Sequence, residues 1–136
     1  MRIAVIDGQG GGIGKHIVEK LRKEMPEEIE IIALGTNSLA TSLMLKAGAN
    51  EGATGENAII FNMDRVDLIV GTIGIVMANS MLGELTPAMA EAIATARAKK
   101  YFLPVSRSNF KIVGLKEEPL PHLITDLIQE IKKELI

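Results

Sequence analysis

Short apolar runs alternate with amphipathic segments along the chain, and this pattern predicts strands that alternate with helices. The clearest pair is at the front, where the apolar strand 2–7 precedes a helix whose apolar residues repeat at helical spacing from Ile13 to Met25. Pro26 is expected to end that helix. The same pattern predicts further strands at 29–34, 51–54, 67–70, 101–105 and 110–113. It also predicts a helix that follows the N-cap candidates of the turn 35–38 and ends near Ala47, and a short helix with Ile59, Met63 and Val66 on one face. Two further helices are expected to begin at Thr86-Pro87 and near Pro121.

This order of elements predicts an α/β fold. We expect a three-layer, Rossmann-like, doubly wound and mainly parallel sheet of about five to six strands, with helices on both faces. The chain contains no internal repeat, low-complexity tract or linker, so residues 1–136 are expected to form a single domain.

Composition limits the classes of function. With 136 residues, of which 47% are hydrophobic, the chain can build one ordinary core. A net charge of −2 without a Lys/Arg cluster argues against binding to nucleic acid. The longest apolar stretch, 66–78, is too short to span a bilayer, and the first strand leaves no room for a signal peptide. A cytoplasmic location without a membrane partner is therefore expected, and the absence of cysteine removes thiolate chemistry.

The candidate chemistry lies at the turn after the first strand, where five glycines occur in seven residues. A strand, a glycine-rich turn and a helix together place phosphate at a helix N-terminus. Asp7 is expected either to brace this loop, which is the preferred interpretation, or to contact ligand hydroxyls or a metal. The candidate binding residues of the segment are Asp7, Gly8, Gln9, Gly10, Gly11, Gly12, Ile13, Gly14 and Lys15.

The spacing of the loop glycines resembles the GxxxGxG turn of short-chain dehydrogenases. A working P-loop is excluded, because Gln9 stands at its first glycine position and His16 replaces the hydroxyl that would hold magnesium. Dehydrogenase chemistry of that family needs Tyr-x-x-x-Lys, but Tyr101 is followed four positions later by Val105. The loop thus predicts a ligand class and no reaction.

Small or polar residues also follow the other predicted strands. Because the carboxyl ends of parallel strands meet at one edge, we expect these residues to line one cleft, although turns are rich in such residue types in any case. No acid follows the second strand, so NADP would be less disfavoured than usual, and the choice among NAD, NADP and a mononucleotide stays open. The candidates are Thr36, Asn37 and Ser38, then Gly71, Thr72 and Gly74, then Arg107.

Five segments together, 6–14, 33–37, 52–59, 79–84 and 119–124, resemble a bacterial family of short proteins of unknown function. The resemblance covers essentially the whole chain and implies a small cytoplasmic bacterial protein, without implying any catalytic residue. The chain also shares the general look of the NAD(P)-binding Rossmann superfamily, which is an analogy at the level of fold.

The leading functional hypothesis is a nucleotide- or dinucleotide-binding module, with a sensory or regulatory role as one option. The alternatives are a scaffold without ligand, or a small homo-oligomeric enzyme that acts on a phosphorylated or carboxylated metabolite. For the enzyme, Asp7, Asn37, Thr72, Ser80 and Arg107 would be the candidates. The expected partners are a nucleotide or other phosphorylated ligand and further copies of the chain. The two histidines lack metal-ligand spacing, so no metal site is predicted.

Overall fold

The computed structural model describes residues 1–105 and 109–135. Parallel strands form one sheet with the order β3-β2-β1-β4-β5. The strands are β1 (Arg2–Asp7), β2 (Glu30–Gly35), β3 (Glu51–Thr54), β4 (Leu68–Thr72) and β5 (Lys99–Leu103). The α-helices are α1 (Gly12–Glu24), α2 (Ser38–Ala47), α3 (Glu56–Asn62), α4 (Pro87–Thr95) and α5 (Leu120–Lys132).

The chain reverses its direction across the sheet after β3. It runs outward from β1 through β2 to β3 and then returns to the opposite side of β1 to form β4 and β5. This is the order of the first five strands in Rossmann folds, whose ligands bind beyond the carboxyl ends of the strands where the order reverses. In this chain that point lies between β1 and β4.

The sheet is covered on both faces, which confirms the predicted three-layer fold. Ile3 and Val5 of β1 pack into one core with residues of α1, α2 and α5, whereas Ala4 and Ile6 pack into a second core with residues of α3 and α4. Successive side chains of a strand point to opposite faces. A central strand covered on both faces is therefore continuously apolar, as β1 is from Ile3 to Ile6.

Two of the described α-helices, α2 and α4, begin at a side-chain cap. The Asn37 carboxamide accepts a hydrogen bond from the Ala40 N–H at 2.9 Å and so caps α2. The Thr86 hydroxyl accepts from the Met89 N–H at 3.2 Å, and Pro87 is the first residue of α4. Both starts were expected from the sequence.

Three expected strands differ by two residues or more in the structure. β4 ends at Thr72, two residues beyond its predicted end. The predicted sixth strand is wrong: residues 110–113 form no strand, and Phe110, Ile112 and Val113 are exposed. Strand propensity reflects the burial and packing of side chains, and these apolar side chains are not buried. The fifth strand begins at Lys99, two residues before the predicted start, because its two lysines lie on an edge strand, where charged side chains are tolerated.

Among the described residues, no helix has the length and apolar character needed to cross a membrane.

Candidate ligand-binding cleft at the glycine-rich loop

A cleft of about 740 Å³ opens at the carboxyl ends of β1 and β4, where the strand order reverses. Its size is within the range of small-molecule sites, about 300–1,000 Å³. The lining residues come from the glycine-rich loop, from the segment after β4 and from the start of α5: Asp7, Gly8, Gln9, Gly10, Gly11, Gly12, Ile13, His16, Thr72, Gly74, Asn79, Ser80, Met81, Leu82, Val105 and Leu120.

The loop glycines fall into two groups. Gly8, Gly11 and Gly14 are buried, whereas Gly10 and Gly12 are exposed. A Cβ atom on Gly11, whose φ is +75°, would lie 2.8 Å from the Ala40 Cα atom. A Cβ on Gly10 or Gly12 would meet no atom within 4 Å. Gly8, Gly11 and Gly14 therefore pack too tightly for a side chain, whereas Gly10 and Gly12 leave the backbone open to the cleft.

Asp7 braces the loop, as the preferred interpretation of the sequence expected. Its carboxylate accepts hydrogen bonds from the Gly8 N–H at 2.8 Å and from the Gly14 N–H at 2.6 Å. Burial raises the pKa of Asp7, the two N–H donors oppose that rise, and the negative charge of Glu84 adds to it. The acid at the end of β1 thereby links the first and last residues of the loop.

Several loop N–H groups keep their hydrogen-bonding capacity. The first N–H groups of a helix have no acceptor inside that helix. Among the described residues, those of Gly12 and Ile13, and that of Gly10 just before α1, have no hydrogen-bond acceptor. These groups stand at the positive end of the α1 dipole, beside the cleft. Their chemistry suits an anion.

A second carboxylate, which the sequence analysis did not select, holds the loop from the other side. Oε1 of Glu84 accepts from the Gln9 N–H at 2.8 Å, from the Thr36 hydroxyl at 2.6 Å and from the Asn37 side-chain amide at 2.8 Å. Partial burial works to raise the pKa of Glu84, but the three donors outweigh it and the pKa is lowered. The ionised form is therefore favoured.

This contact changes the interpretation of the end of β2. The expectation that no carboxylate stands there is wrong, since Glu84 supplies one from 48 residues beyond Thr36. The sequence could not show it, because the acid comes from the connection between β4 and α4. The Thr36 hydroxyl and the Asn37 side-chain amide donate to Glu84, and Ser38 is the exposed first residue of α2. The structure does not bring these three β2 candidates into the cleft.

Some of the remaining predicted binding residues line the cleft and others do not. Thr72 and Gly74 line the cleft, whereas Gly71 is buried, and a Cβ atom there would lie 2.8 Å from the Ile75 Cδ1 atom. Lys15 is outside the lining, and its ammonium lies 4.0 Å from Glu19 Oε1. Arg107 lies outside the described residues, so its role stays a prediction.

The segment from Met77 to Leu85 contributes residues that were largely missed. Asn79, Met81 and Leu82 have φ values of 65°, 58° and 55°, which are uncommon for residues other than glycine. The Ser80 hydroxyl, a candidate for the enzyme hypothesis, donates to the Gly74 carbonyl at 2.6 Å. The position directly after a central strand is the one signal in the sequence that could have selected this segment.

No group of three or more His, Asp and Glu side chains within 1–105 and 109–135 is arranged to hold a metal ion.

Comparison with protein families identifies the chain. The family described as "Domain of unknown function (DUF3842)" matches residues 2–136. The chain belongs to this family. No curated protein matches the DUF3842 chain. Among solved structures, it is similar to a dodecameric FMN-dependent UbiX-like decarboxylase from Escherichia coli O157:H7, with 12% sequence identity and a TM-score of 0.48, over 97% of this chain and 95% of that one.

Proposed function

We propose that this DUF3842 protein binds the phosphate group of a nucleotide or another phosphorylated small molecule on its glycine-rich loop. The observation that carries the proposal is the group of N–H donors of Gly10, Gly12 and Ile13 on the wall of the cleft, which have no acceptor within 1–105 and 109–135. Backbone N–H groups and a helix dipole together form an anion site. The glycines that carry two of these donors leave room for close approach.

The rest of the cleft suits an uncharged portion of such a ligand. Ile13, Met81, Val105 and Leu120 give it apolar walls, and Thr72 adds a hydroxyl. No Lys or Arg belongs to the described lining, so the charge of a phosphate would be met by N–H groups and by the sequence candidate Arg107. NAD and NADP remain candidate cofactors beside mononucleotides.

The proposal is tested by ligand-induced stabilisation. The melting temperature is measured with inorganic phosphate, AMP, ADP, FMN, NAD and NADP at millimolar concentration. A ligand at 100 times its dissociation constant adds about 2.7 kcal/mol to the free energy of unfolding. We expect at least one of these probes to raise the melting temperature.

Gly12→Val locates the site, because the new side chain enters open space in the cleft at the first residue of α1. The fold should survive and the ligand-induced shift should disappear. Ala94→Val, on the exposed side of α4, adds the same side chain away from the cleft and should keep the shift. The proposal fails if no probe shifts the wild type, or if Gly12→Val keeps the full shift.

We also propose that the protein is a homo-oligomer in the cytoplasm. The segment before α5 exposes a run of apolar side chains, with Val113 91% exposed and Phe110, Ile112 and Leu115 also exposed. A run of this kind is unusual on a monomer surface. Light scattering coupled to size-exclusion chromatography should give a mass of at least twice 14.6 kDa, and a monomer at 100 μM would contradict the proposal.

A further inference from the structure

The half of the crevice beyond β2 is closed by the protein itself. In Rossmann dinucleotide sites, an acid at the end of the second strand binds the ribose hydroxyls of the adenosine half. Here the Glu84 carboxylate occupies that place, but Oε1 already accepts three hydrogen bonds from Gln9, Thr36 and Asn37. The N–H, hydroxyl and amide groups that could bind a second ribose and phosphate therefore already donate to Glu84.

Steric contacts close the same space. A Cβ atom built on Gly8 would lie 2.3 Å from the Thr36 Oγ1 atom and 2.6 Å from the Met81 Sδ atom. Backbone and side chains therefore leave no room for a sugar between the ends of β1 and β2. The open volume lies on the β4 side, and neither Thr36, Asn37 nor Glu84 contributes to its lining.

We infer that Glu84 and Met81 act together as a specificity element that restricts the cleft to phosphomonoesters of mononucleotide size or smaller. The inference rests on the proposed phosphate site. A dinucleotide would have to extend past Gly8 toward Thr36, where it would displace Met81 and break the hydrogen bonds of Glu84. A 2′-phosphate there would also face the ionised carboxylate of Glu84, so NADP is the least favoured of the dinucleotides.

The test compares dissociation constants for NAD and for its two halves, AMP and nicotinamide mononucleotide, by titration calorimetry on the full chain. FMN serves as a further mononucleotide probe. We expect the wild type to bind at least one mononucleotide ten times more tightly than NAD. Glu84→Ala removes the acceptor of all three hydrogen bonds and should reduce this ratio to threefold or less.

A second variant keeps the test valid if Glu84→Ala fails to fold. Met81→Gly removes the side chain that covers Gly8, and glycine tolerates the φ of 58° at that position. It should also reduce the ratio. The matched control is Met77→Gly, the same substitution in the same segment, since Met77 neither lines the cleft nor is among the atoms nearest to Gly8. This control should keep the wild-type ratio.

The outcomes separate the two hypotheses. If no phosphorylated probe binds the wild type, the phosphate site itself is refuted, and the specificity inference is refuted with it. If a mononucleotide binds but NAD binds as tightly, the phosphate site stands and the specificity element is overturned. The same conclusion follows if neither Glu84→Ala nor Met81→Gly changes the ratio, or if Met77→Gly changes it as much as Met81→Gly.

Discussion

Two glycines two residues apart in the loop should respond oppositely to the same substitution. Gly14 is buried, and a Cβ atom there would lie 2.7 Å from the Asp7 Cβ atom, 2.7 Å from the Met44 Sδ atom and 2.8 Å from Asp7 Oδ2. Gly12 is exposed, and a Cβ atom there would meet nothing within 4 Å. Both residues lie in the first turn of α1 without a positive φ. Alanine at each position therefore tests packing alone.

The structure sets the expected magnitudes. Forcing a methyl group into the space around Gly14 costs about 1–3 kcal/mol. Displacing Asp7 weakens its 2.6 Å hydrogen bond with the Gly14 N–H, which adds about 1–2 kcal/mol. The higher helix propensity of alanine offsets up to about 1 kcal/mol of this loss in the free energy of unfolding. Gly14→Ala should thus lower the free energy of unfolding by about 1–5 kcal/mol, with a central value of about 3 kcal/mol, whereas Gly12→Ala should leave it unchanged or raise it by less than about 1 kcal/mol.

Urea unfolding followed by far-UV circular dichroism measures this difference, since the chain has no tryptophan and one tyrosine for fluorescence. For a chain of this length, 1 kcal/mol corresponds to about 3–5 °C in melting temperature. At the central loss of about 3 kcal/mol, the two variants should therefore melt roughly 9–15 °C apart. If their free energies of unfolding agree within about 0.5 kcal/mol, the contact between α1 and the end of β1 is not as tight as the structure has it.

The remaining predictions concern charged groups. Asp7→Ala leaves two buried N–H groups without an acceptor and should lower the free energy of unfolding by about 2–4 kcal/mol, measured by urea unfolding; an unchanged midpoint would refute the brace. The lowered pKa of Glu84 stabilises the fold fully above its unfolded value of 4.5, and this stability is lost as pH falls through the folded value. Glu84→Gln should lose less stability on acidification than the wild type, and equal losses would contradict this. Arg107→Gln should weaken phosphate binding about tenfold in calorimetry, whereas the exposed Arg97→Gln should not, so equal effects would exclude a specific role.

Local patterns predicted most of the fold. The apolar run from Ile3 to Ile6 predicted a buried strand, and both faces of β1 are covered in the structure. The short β3 was predicted at its observed bounds. The capping residues Asn37 and Thr86 predicted two helix starts, since a side-chain oxygen satisfies an N–H group that the helix itself leaves free. These features depend on contacts close in sequence.

The parts that were missed depend on contacts distant in sequence. Glu84 reaches Gln9 across 75 residues, and nothing local marks it as a partner of the glycine-rich loop. The apolar residues Phe110 and Ile112 have strand propensity, but they are exposed, and a strand also depends on burial and on packing against side chains distant in sequence. The loop glycines look alike in sequence, and their division into packed and open positions follows from what lies against each of them, such as Ala40 against Gly11.

The two carboxylates also determine what the loop can offer a ligand. Asp7 takes the N–H groups at both ends of the loop and Glu84 takes that of Gln9, so the protein holds its own loop with protein anions. A bound phosphate would then use only the donors that remain, within the field of two nearby carboxyl groups. Ligands with fewer negative charges are favoured in such a field, and each added phosphate needs a compensating cation. A small ligand with one phosphate therefore matches the predicted role of Arg107, since one arginine can balance one phosphate.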